Sequence, residues 1–162
     1  MPYFAAALAR TAGGWTGEEL DLSEVEDLEQ LADLLRDLTG DGPGPALMLL
    51  DEDDEHLAVV RVDGLGEPRV FLSDRRAVLA SEVAAMLWED ADGPADEDAD
   101  EDEGTRPIAE PVGDTGLLTD LGTPADDLVA LCAEEGLLPA DVLTALCERA
   151  GCDDVLESLR EA

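Results

Sequence analysis

The sequence predicts an α+β protein: a small antiparallel sheet with helices on one face, then an acidic disordered linker, then a small all-α C-terminal module. Three observations predict it. Short apolar runs bounded by turn residues alternate with one long leucine-striped segment before residue 88. Residues 89–111 carry 11 acids and one arginine, with Gly93, Pro94, Gly104, Pro107 and Pro111 as breakers. Residues 112–162 contain no aromatic residue and read as short helices separated by Gly136 and Gly151. The expected division is therefore 1–88, 89–111 and 112–162.

Each element has a local reason. Tyr3 to Arg10 is an apolar run fit for a buried strand, and Gly13-Gly14 breaks it. Trp15 to Leu22 is a second short extended piece. Ser23 is expected to open a helix, with Glu26 completing a capping box. Leu28, Leu31, Leu35 and Leu38 recur at three and four residues, so they form one apolar stripe. Gly40 ends that helix. Ala46 to Leu50 reads as a strand, Asp51 to Glu55 as a charged turn, and His56 to Val62 as the next strand. Asp63-Gly64 turns the chain into a third strand, Arg69 to Leu72. Ser73 is expected to cap a turn or short helix running on to Trp88. Beyond the linker, Thr123-Pro124 marks a helix start with Asp126 in the capping-box place. Pro139 marks the next start, and Asp153 to Leu159 a last short helix. About 51 residues are marginal for a domain alone, so this tail is expected to dock on the first domain or on a partner.

Composition bounds the function. The 162 residues hold 42 acids against nine basic residues, a formal net charge of −33, with no lysine. Phosphate binding needs Lys or Arg to displace counterions, so direct nucleic-acid binding is excluded as an expectation. No apolar run reaches membrane-spanning length and no export signal opens the chain, so a cytoplasmic protein is expected.

Catalytic signatures are missing. There is no phosphate-binding glycine loop with its lysine, no dinucleotide fingerprint and no nucleophile elbow. His56 is the only histidine and is read as a surface or strand-edge residue. Cys132, Cys147 and Cys152 are read as reduced thiols in helix packing, since no C-x-x-C pair exists. Asp51 to Glu55 fits a cation loop poorly, because His56 stands where an EF-hand needs glycine. No catalytic residue, metal ligand or cofactor site is assigned. The candidate partner-binding residues are Arg69, Arg75 and Arg76, a local basic spot able to read an acidic group, and Trp15, a side chain type enriched in binding hot spots.

Three stretches together resemble one family: YFAAALARTAGGW with ELDLSEVEDLEQLADLLRDL, then ALMLLDEDDEHLAVVRVDG with RVFLSDRRAVLASEVAAML, then the tail from Gly113 to Leu159. The layout is similar to that of the tRNA adenosine deaminase-associated proteins of G+C-rich bacteria. The resemblance implies an association with a tRNA-specific adenosine deaminase and carries over no site residue. The chain is unlike the deaminase itself. Zinc deaminases use H-x-E with a later P-C-x-x-C, whereas His56 is followed by Leu57 and Ala58. A non-enzymatic acidic accessory protein that binds a protein partner is the resulting expectation. The alternative is an acidic nucleic-acid mimic that masks basic protein surfaces.

Overall fold

A computed structural model describes residues 3–11, 14–22, 25–39, 45–52, 56–63, 68–73, 112–113, 115–133 and 138–161. The expected acidic linker and the expected helix from Ser73 to Trp88, past Ser73 itself, lie outside the described residues.

The strands are β1 (Tyr3–Thr11), β2 (Gly14–Glu19), β3 (Pro45–Glu52), β4 (His56–Asp63), β5 (Arg69–Leu72) and β6 (Val112–Gly113). They form one antiparallel sheet in the order β2-β1-β3-β4-β5-β6. Because β1 lies antiparallel to both β2 and β3, those two strands run parallel to each other. Joining them needs a crossover, and α1 (Leu28–Thr39) supplies it.

The apolar stripe does what its spacing predicts. Leu28, Leu31 and Leu35 are buried, with Ala32 between them. They pack on one sheet face, against Ala5, Ala7 and Ala9 of β1, Met48 and Leu50 of β3, and Val60 of β4. The helix starts later than expected. Asp27 provides the cap of α1: its Oδ1 accepts the Gln30 N–H at 2.9 Å, and Gln30 Oε1 accepts the Glu26 N–H at 2.9 Å, while Ser23, the expected cap, lies outside the described residues. Asp27 directly precedes the first leucine of the stripe, so capping there frees no buried position.

The opposite face of the sheet is also covered. Ala6, Leu8, Leu47, Leu49, Leu57, Val59 and Phe71 meet Leu117, Leu128, Leu143, Leu146 and Leu156 from the C-terminal part of the chain. That part comprises a 3-10 turn (Thr119–Leu121), α2 (Ala125–Ala133), α3 (Pro139–Ala150) and α4 (Asp153–Glu161). The tail therefore docks on the sheet, and β6 adds two of its residues to β5. The two-residue strand was not expected in a segment read as all helical, since two residues carry no period.

Two further details differ from expectation, and a third, a bond at Ser73, was not expected. Asp51 and Glu52 do not turn the chain: they continue β3, opposite Leu57 and His56. Ser73 closes the ladder: its Oγ accepts the Leu57 N–H at 2.9 Å while its own N–H donates to the Leu57 carbonyl. Thr123 does not cap α2: its hydroxyl is buried and makes no hydrogen bond. Both ends of α3 and the start of α4 follow their signals. The Asp141 carboxylate accepts the Leu138 N–H at 3.2 Å. Gly151 ends α3 with φ of +93, a left-handed conformation that glycine adopts without strain.

α4 presses closely on the edge strand. A Cβ on Gly17 would lie 2.6 Å from the Leu8 side chain, 2.8 Å from the Ala7 carbonyl oxygen and 2.9 Å from Val155. One of these is backbone and cannot move away. Gly17→Ala is expected to destabilise the protein by about 1–3 kcal/mol, measured as a lowered urea midpoint.

Candidate functional site

The most organised polar cluster centres on Arg61, which no sequence signal singled out. It sits on β4, two residues after Val59, so its side chain leaves the sheet on the C-terminal face. Although only 5 % exposed, it is fully engaged. Nη1 donates to the Leu117 carbonyl and to Asp120 Oδ1, both at 2.6 Å; Nη2 donates to Asp120 Oδ2 at 2.9 Å; Nε donates to Asp63 at 3.0 Å. This is the planar fork of a guanidinium used on four acceptor atoms of three residues at once. One strand residue thereby fixes the turn that leads into α2. The only cue in the sequence was a charge inside an otherwise apolar run, LAVVRV, which calls for partners.

The electrostatics follow from that geometry. The Arg61 hydrogen bond holds Asp120 below the usual aspartate value of 3.8, against the opposing effect of burial and with a lesser Coulomb attraction from Arg61 in support. A carboxylate with a depressed value stabilises the fold fully above its unfolded value and loses that contribution as pH falls through the folded one. The stability difference between the wild type and Asp120→Asn is therefore expected to be constant above about pH 5 and to shrink as pH drops below 3.8. Relief of repulsion among the other carboxylates affects both proteins, so the difference isolates Asp120. Thermal melts of the pair from neutral to acid pH check it.

Among the sequence candidates, Arg69 pairs across the ladder with Arg61 and lies 3.8 Å from the Asp63 carboxylate, with its side chain 40 % exposed. Arg75 and Arg76 lie outside the described residues. Trp15 is half-buried on β2, packed on the C-terminal core, and its Nε1 donates to the Ala150 carbonyl at 3.3 Å. That bond ties the sheet edge to the end of α3. Trp15→Phe is expected to cost about 1 kcal/mol, read from denaturant titration.

His56 is buried rather than superficial, at 7 % exposure. The reason is its place: it already pairs with Glu52, and β4 is flanked on both sides. The cysteines are free. Burial pushes the Cys132 thiol up to about 12. Cys147 and Cys152 meet across the end of α3, where the Gly151 and Cys152 N–H groups both donate to the Cys147 carbonyl. A hydrogen bond from Cys147 holds the Cys152 thiol below its ordinary value. The backbone pattern is the usual helix stop at a left-handed glycine, whose flanking side chains touch.

The surface carries the net charge. Arg36 is within 2.9 Å of Asp33, Arg149 within 3.0 Å of Asp127, and Arg61 and Arg69 reach Asp63. These four cations face carboxylates of the same chain. Exposed acids such as Glu18, Glu19, Asp21, Glu29, Asp37, Asp126, Asp154 and Glu157 remain on the sheet edge and the helices.

A family model matches residues 3–153, spanning β1 through the first residue of α4, and its description is Rv3753c-like tRNA adenosine deaminase-associated protein. The chain belongs to that family. It is also 31% identical over 156 residues to Protein Rv3753c of Mycobacterium tuberculosis (strain ATCC 25618 / H37Rv), covering 96% of this chain and 86% of the relative. No solved structure matches. The deaminase-associated family match includes the sheet and, of the helices that cover its second face, α2 and α3. Among the described residues, no helix is long and apolar enough to cross a membrane.

Proposed function

We propose that this member of the deaminase-associated family is a non-enzymatic accessory protein that acts in the cytoplasm. It binds a protein partner by charge complementarity, and a tRNA-specific adenosine deaminase is the first candidate. One observation carries the reading: the arginines just described face carboxylates of their own chain, which leaves an acidic shell over a net charge of −33. Such a shell repels RNA but complements a protein surface built to hold RNA. The family description supports the choice of partner. The Arg75–Arg76 pair, beyond Arg69 in sequence, is where a partner carboxylate would be met, Arg69 itself being engaged by Asp63, and Trp15 borders the C-terminal face of the sheet.

The test is a calorimetric titration of the purified protein into the deaminase of the same organism at low salt. Micromolar or tighter binding is expected, and its absence contradicts the reading. Deleting residues 89–110 separates the two modes of action. An accessory protein with a folded interface is weakened by the deletion, whereas a nucleic-acid mimic acting through its acidic run loses binding altogether and also binds unrelated basic proteins.

A further inference from the structure

We infer that the outer edge of β2 is a docking site for an extended basic segment of a partner protein, which joins the sheet as a seventh strand. This deepens the accessory-protein reading and rests on it.

The backbone defines the site. In an antiparallel ladder, directly opposed residues alternate between pairs that exchange hydrogen bonds and pairs whose N–H and C=O groups point away. The Leu20 N–H donates to the Ala5 carbonyl at 2.9 Å, continuing the register in which Ala6 faces Glu19. Leu20 and Glu18 therefore turn their backbone groups toward β1, and so does Thr16. Trp15, Gly17 and Glu19 turn theirs to the outside. Among the described residues nothing pairs with these three, and β2 is the end strand of the sheet. They repeat about every 6.8 Å, the spacing at which an added strand presents its own bonding residues.

The edge is held rigid from behind. Trp15 is tied to α3 through Ala150, and Gly17 lies against Val155 of α4. β2 contains no proline to block a ladder. Its exposed side chains include Glu18 and Glu19, with Asp21 just beyond, and it contains no cation. Opposite charges paired across strands favour an incoming strand that carries arginine or lysine. The same glutamates, on a chain of net charge −33, oppose pairing with a second copy of itself.

The probe is a synthetic nine-residue peptide of alternating arginine and threonine, titrated into the full chain at low salt. Binding is followed by calorimetry and by hydrogen exchange of the protein amides. Exchange is expected to slow at Trp15, Gly17 and Glu19. Glu19→Gln removes one charge but keeps the N–H, and is expected to bind within about 3-fold of the wild type. Glu19→Pro removes the same charge and the outward donor, and is expected to bind at least about 10-fold more weakly. Equal binding by the two variants, or binding that leaves those three amides unprotected, overturns the edge site while leaving the charge reading to the deaminase titration. Protection of the same amides by self-association without peptide also overturns it, as does failure of the peptide to bind.

Discussion

Replacing Phe71 with alanine is expected to cost about 3–5 kcal/mol of folding stability. Phe71 is fully buried on β5 and faces the C-terminal helices. Its strand is held between β4 and β6, opposite Val59 and Gly113. The surrounding backbone cannot close over the space, so lost transfer energy and a residual cavity both count. The loss is expected in a single urea transition, seen alike by far-ultraviolet circular dichroism and tryptophan fluorescence. The sheet and the tail share this core, so they are expected to melt together. Separate transitions for the two probes would contradict the shared core.

Arg61→Ala is the second large effect, expected at about 2–4 kcal/mol. Most of it comes from the Leu117 carbonyl, which would stay buried without its 2.6 Å donor. The Asp120 contact adds less than its geometry suggests, because that side chain is 65% exposed and water screens it. Arg61→Lys is expected to recover little, since a single ammonium cannot span Leu117, Asp120 and Asp63 together. Asp120→Ala is expected to cost well under half as much as Arg61→Ala. Denaturation of these variants, with the double-mutant cycle for Arg61 and Asp120, measures the split. Equal losses from Arg61→Ala and Asp120→Ala would place the energy in the ion pair instead of the carbonyl.

Much of the fold was legible because its signals were local. The leucine spacing of α1, the meander β3-β4-β5, and the Pro139 start and Gly151 stop of α3 each rest on a few neighbouring residues. What was not legible depends on distant ones. ALMLL and LAVV lack polar alternation, a mark of strands covered on both faces, yet only the docked tail shows what covers the second one. Asp27 caps α1 where it abuts the first buried leucine, a position that the capping-box spacing did not mark. Thr123 does not cap because its hydroxyl is buried and bonds nothing, while its backbone N–H donates to the Leu118 carbonyl of the preceding turn. Arg61 itself escaped notice because its partners lie 56 and 59 residues away. Trp15 could be read as an anchor from its type, but its bond to Ala150 spans 135 residues. Charge was the most legible property of all, being a count, and it carries the functional reading.

That reading is tested most directly by the salt dependence of the affinity for the tRNA-specific adenosine deaminase, with and without tRNA present. Charge complementarity predicts binding that weakens at least about 10-fold between roughly 50 and 300 mM salt and that tRNA competes away. Binding that ignores salt and tRNA, or no binding at the lowest salt, would contradict it.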